Sequence, residues 1–76
     1  MANTETINID FVKGYKDARY YNTYNNPYKY LVEVKTHTRQ DAYNFMNYHN
    51  GHNTGAWDKR AEIFGDGSEY FEIIKP

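Results

Sequence analysis

Polar and apolar positions alternate in several places along this chain. Over Thr6 to Val12, Ile7, Ile9 and Phe11 interleave with Asn8 and Asp10. A period of two built from β-branched and aromatic residues predicts a strand with one wet face. The run Tyr28 to Lys35, YKYLVEVK, is the clearest strand pattern, with Tyr28, Tyr30, Val32 and Val34 on one side and Lys29, Leu31, Glu33 and Lys35 on the other. A short strand over about Ala18 to Thr23 can pair with it across the turn signal Asn25-Asn26-Pro27.

Between these runs and the C-terminus the period changes. Thr38 is a good N-cap, and Asp41 three residues later makes a weaker form of the capping box. Ala42, Phe45, Met46 and His49 then follow at the spacing of one buried helical stripe, with Gln40, Asn44, Asn47, Tyr43 and Tyr48 outward. Asn50-Gly51 supplies a residue tolerant of positive φ and predicts the helix stop. Beyond it, the tract GDG at 65–67 separates two half-apolar runs and predicts a hairpin with arms Trp57 to Phe64 and Glu69 to Ile74. Trp57, Ala61 and Phe64 also fit helical spacing, so a short helix over Ala56 to Phe64 competes with the first arm.

These elements add up to an α+β fold. A small antiparallel sheet of four to five strands carries one α-helix, about 39–50, on one face, in a single domain over 1–76. A chain of 76 residues has room for one modest core. Aliphatics are scarce, with Leu31 the sole leucine. One sheet face is therefore expected to be exposed, used for binding, or covered in a homodimer.

Composition excludes several functions. With no cysteine there is no disulfide framework and no thiolate metal site. His49 and His52 are spaced H-x-x-H, but zinc wants three or four protein ligands. The expected roles are a helix C-terminal cation and a loop histidine, with no metal and no cofactor. Ser68 is the sole serine and shows no activating base, and neither phosphate-loop pattern occurs. No catalytic residue is assigned, and a non-enzymatic protein is expected. No basic leader with an apolar run and no stretch approaching about 18 apolar residues is present, so the expectation is a cytoplasmic protein with no membrane partner.

Binding chemistry is better represented. Six of the nine tyrosines fall within YKDARYYNTYNNPYKY, residues 15–30, alongside three asparagines. Tyrosine joins a large contact area to a hydroxyl and costs only two side-chain torsions to immobilise, so recognition surfaces concentrate it with Asn, Ser and Gly. Tyr28 and Tyr30 are expected to pack in the sheet. Tyr15, Tyr20, Tyr21 and Tyr24 exceed what so small a core can bury and, with Arg19, are the candidate contact residues.

Net charge is −1, but it is unevenly spread: from Lys13 to Tyr30, Lys13, Lys16, Arg19 and Lys29 stand against Asp17 alone, while from Ala61 to Ile74, Glu62, Asp66, Glu69 and Glu72 stand with no base and make the predicted C-terminal hairpin acidic. That hairpin is the second candidate surface, suited to a basic, nucleic-acid-binding partner. The bias towards residues with A/T-rich codons points to an A+T-rich genome, such as those of low-GC bacteria and their phages. The expected function is a small protein-binding module of phage or mobile-element type that inhibits or redirects a host protein. The alternative is a single-stranded nucleic-acid binder that stacks bases on the tyrosines between Arg and Lys, which the net charge disfavours.

Overall fold

The computed structural model describes residues 8–64 and 74–76 and contains three helices: α1, Ile9–Arg19; α2, Lys29–Glu33; and α3, Arg39–Ile63. Among the described residues there is no strand, which overturns the expected α+β fold with its four-to-five-strand sheet. The chain is helical wherever these residues form regular structure.

Each correction has a local cause. Asn8 begins α1, because its Oδ1 accepts from the Asp10 and Phe11 N–H groups at 2.8 and 3.4 Å. That cap outweighs the alternation of Ile7, Ile9 and Phe11 that suggested a strand. At YKYLVEVK, Asn26 Oδ1 accepts the Tyr28 N–H at 3.0 Å, and the Asn26 carbonyl accepts the Lys29 N–H at 3.2 Å. This Asx-type turn starts the five-residue α2 in place of a strand. Lys35 then takes φ 58°, and the Thr36 N–H closes on the Leu31 carbonyl at 3.2 Å, a Schellman-type stop with lysine where glycine is usual. The short strand expected over Ala18 to Thr23 is instead the end of α1 and the start of an extended connection. The predicted arm Trp57 to Phe64 is the last part of α3. Its partner arm and the GDG turn lie outside the described residues, apart from Ile74.

The start of α3 agrees with the sequence. Thr38 Oγ1 accepts the Asp41 N–H at 3.1 Å and Asp41 Oδ2 accepts the Thr38 N–H at 3.0 Å, a complete capping box. The predicted stop at Asn50-Gly51 does not occur, and the helix runs 25 residues. Gly51 serves another purpose. A methyl group there would lie 2.0 Å from the Phe11 carbonyl oxygen of α1, and one at Gly14 would lie 2.1 Å from the Tyr48 carbonyl oxygen of α3. Gly55 approaches the Tyr15 carbonyl in the same way. The two backbones touch. At each position the glycine hydrogen that replaces Cβ points at a carbonyl oxygen of the other helix, the arrangement of a Cα–H···O contact.

Contacts pair Phe11 with Gly51, Tyr15 with Gly55 and Arg19 with Glu62, so α1 and α3 run parallel. The connection between them must travel back along the pair. It does so as an extended segment that lies antiparallel to α3, matching Thr23 to His52, Asn25 to Tyr48 and Asn26 to Phe45.

Candidate functional site

Two groups of side chains are assembled by this packing. The first lies between α1 and α3. Tyr15 is fully buried and donates from Oη to Asp58 Oδ2 at 2.7 Å, while Arg19 Nη1 donates to Tyr15 Oη at 3.0 Å. Arg19 Nη2 reaches Glu62 Oε2 at 2.9 Å, and its guanidinium carbon stands 5.3 Å from the Tyr20 ring centre. Tyr20 Oη in turn donates to the Ile74 carbonyl at 2.7 Å, which ties the described C-terminal residues to the end of α1. A buried charge is tolerable only when its polar neighbours are satisfied, and here the Tyr15 hydroxyl links cation to carboxylate.

The second group anchors the connecting segment. Tyr48 is also fully buried; its hydroxyl bonds Asp17 and accepts the Asn25 N–H at 2.7 Å. Asn26 Nδ2 donates to the Phe45 carbonyl at 3.2 Å, and His52 Nε2 donates to the Thr23 carbonyl at 2.8 Å. The Tyr24 ring packs edge-on against Tyr48 at 5.3 Å and His52 at 4.8 Å, and its hydroxyl meets His49 Nδ1 at 3.3 Å. His49 and His52 therefore share one face of a continuous helix and hold the segment from beneath, where the sequence suggested that they straddle a helix end. Among the described residues no group of three or more His, Cys, Asp or Glu could hold a metal.

The predicted contact residues separate accordingly. Tyr15 and Arg19 are interior, Tyr20 is half-buried, and Tyr21 and Tyr24 are 55% and 38% exposed. Glu62 faces solvent but is joined to Arg19. Asp66, Glu69 and Glu72 lie outside the described residues. Tyr30, expected inside a sheet, is 72% exposed, and Tyr48, expected on the outer face of its helix, has no exposure. Val34, Trp57 and Phe64 are exposed as well. For the last two, the available signal was the spacing of Trp57, Ala61 and Phe64, which is helical.

Burial raises the Tyr48 hydroxyl from 10.0 to about 12, reinforced by the hydrogen bond to Asp17 and partly opposed by the Asn25 N–H. The folded state thus holds the phenol proton more tightly than the unfolded chain. Its stabilisation is complete below pH 10 and is lost as pH rises towards 12, about 2 to 3 kcal/mol in all. Tyr28, raised by burial and by its bond to Asp10, acts in the same direction. Tyr48→Phe should cost about 1 to 3 kcal/mol at pH 8 and should shrink the loss of stability between pH 10 and 12 without abolishing it. Urea titrations at pH 8 and 11 on both proteins measure this, and an unchanged alkaline slope in Tyr48→Phe contradicts it.

No helix among the described residues is long and apolar enough to cross a membrane. No family model, curated protein or solved structure matches the chain.

Proposed function

We propose that this protein is a non-catalytic protein-binding module whose contact surface is the connecting segment between α1 and α3, presented by Tyr21, Tyr24 and Tyr30. One observation carries the reading. The segment over 23–26 is pinned to α3 by the Thr23 carbonyl on His52, the Asn25 N–H on Tyr48 and the Asn26 side chain on the Phe45 carbonyl, while Tyr24 within it and Tyr21 and Tyr30 on either side remain exposed. A segment whose backbone is already ordered loses little entropy on binding, and exposed tyrosines among Asn22, Asn25 and Asn26 supply contact area with adaptable hydrogen bonds. The surplus of residues with A/T-rich codons supports a phage or mobile-element setting, in which such a module inhibits or redirects a host protein. The acidic residues Asp66, Glu69 and Glu72, with Glu62, favour a basic partner such as a nucleic-acid-binding protein.

The nucleic-acid alternative needs free cations beside the rings. Arg19 is spent on Glu62 and Asp58, and Lys29 lies 3.8 Å from Glu33 one helical turn away, which weakens it.

Tyr21→Ala with Tyr30→Ala removes two exposed rings and leaves the anchoring bonds intact. Capture of the partner from a host lysate is expected to fall at least tenfold with a folded double variant. Undiminished capture would sink the proposal, as would single-strand binding at low salt that weakens steeply with added salt.

A further inference from the structure

The outer side of α3 carries a pattern that neither α1 nor the connecting segment uses. Tyr43, Asn50, Trp57 and Phe64 recur at seven-residue intervals, with Met46, Asn53 and Arg60 between them, and all seven are exposed. Trp57 and Phe64 are 68% and 77% exposed. Alternate steps of three and four residues define the seam of a coiled coil. At 3.6 residues per turn this seam lies on the side of α3 roughly opposite Gly51, Gly55 and Asp58, which face α1.

We propose that the seam pairs with the same seam of a second copy of this chain, antiparallel, about a two-fold axis between residues 51 and 52. A two-fold interface requires that each residue and its opposite number exchange roles in the two copies. The sequence meets that requirement layer by layer. Asn50 faces Asn53 of the second copy, an amide pair of the kind that fixes register in coiled coils. Met46 faces Trp57, a thioether against an indole ring. Tyr43 faces Arg60 and Arg39 faces Phe64, two pairs of cation and ring. The flanking Thr54, Ala56 and Ala61 are small and let the helices approach.

Other arrangements match less well. A parallel pair in register sets Arg60 against Arg60. An antiparallel pair displaced by one heptad in one direction puts Asn53 against Trp57 and Asn50 against Arg60, losing the cation–ring layers; displaced in the other it sets Met46 against Asn50 and Tyr43 against Asn53, losing the amide pair and keeping one cation–ring layer, Arg39 with Trp57. The self-complementarity selects a second copy over an unrelated helix, because a foreign partner would impose no such symmetry on this chain. The surface is separate from the connecting segment, so neither proposal rests on the other.

The lack of cysteine makes a direct test simple. In the antiparallel pair, residue 43 lies beside residue 60 of the other copy and roughly 25 Å along the axis from its own equivalent. Full-length Tyr43→Cys mixed with Arg60→Cys is expected to form a disulfide-linked dimer on mild oxidation, with little cross-linking of either variant alone. Sedimentation of the unmodified protein should pass from monomer to dimer between about 1 μM and 1 mM, the range expected of a small interface. Trp57→Lys, at an exposed position, should weaken dimerisation at least tenfold while leaving the circular dichroism spectrum unchanged. Efficient Tyr43→Cys self-cross-linking, a strict monomer to 1 mM, or a dimer indifferent to Trp57→Lys each overturns the proposal. A monomer that still captures a host protein overturns this inference alone and leaves the recognition surface standing.

Discussion

Gly51→Ala is expected to unfold the protein or leave it with loosened helices. In an isolated helix the same change is favourable by about 1 kcal/mol, since alanine is the better helix former. Here the new methyl group would sit 2.0 Å from the Phe11 carbonyl oxygen and 2.7 Å from its carbon. Both are backbone atoms, so no side chain can rotate out of the way. Relief requires the helices to separate by more than an ångström, and the Tyr15–Asp58 and Arg19–Glu62 bonds at 2.7 and 2.9 Å cannot stretch that far. The loss should be about 4 kcal/mol or more, against a total stability of roughly 4 to 11 kcal/mol for a domain of this size. Gly14→Ala should behave alike, because its clash is also with backbone. Thermal melts followed by circular dichroism decide the matter: a melting temperature that rises in either variant would mean that the helices do not touch as described.

The second large effect is expected at Asp58. Its carboxylate is 1% exposed, accepts the Tyr15 hydroxyl and stands 4.0 Å from the Arg19 guanidinium. Asp58→Ala removes the acceptor that this hydroxyl and the buried cation share, while the half-exposed Glu62 carboxylate stays against the charge. One-sided removal of a buried pair costs about 3 to 5 kcal/mol, whereas replacing both partners by apolar groups of similar volume is often nearly neutral. Asp58→Leu combined with Arg19→Met should therefore recover much of what Asp58→Ala loses. Urea unfolding of the variants measures the difference. If the double variant is no more stable than Asp58→Ala, the cost lies in packing around Asp58 and not in the stranded charge.

These two sites also explain which features were legible in the sequence. A pattern of apolar and polar positions finds a core made of aliphatic side chains. The described interior of this protein is Tyr15, Ala18, Arg19, Asn26, Tyr48, Asp58 and Ile74, with glycines where the backbones meet. Tyrosine, arginine and aspartate read as surface, and glycine reads as a break. Of the α3 stripe inferred from Ala42, Phe45, Met46 and His49, the first two and His49 are half-buried, but Met46 is half exposed, and Tyr48, read as outward, is the fully buried ring. The same bias made strands of the segments before Val12 and after Tyr28, whose aromatic and β-branched residues suit a pleated surface. The surplus of tyrosine over residues 15–30 was real, but the rings divide between two tasks. Tyr15 is interior and Tyr20 half-buried with its hydroxyl bonded inward, while Tyr21 and Tyr30 stand clear.

What the sequence determined by itself is local. Thr38 and Asp41 close a capping box three residues apart, and Asn26-Pro27 begins a turn, because both features need only groups that the chain already places side by side. The N-cap at Asn8 was equally local and equally readable, though the alternation around it hid it. Tertiary structure decided the rest. Whether Gly51 ends a helix or admits another one depends on Phe11, far away in the sequence. Which tyrosines turn inward depends on whether Asp17 or Asp58 waits across the interface to accept their hydroxyl protons. A glycine and a tyrosine are each suited to two opposite roles, and only the second helix selects between them.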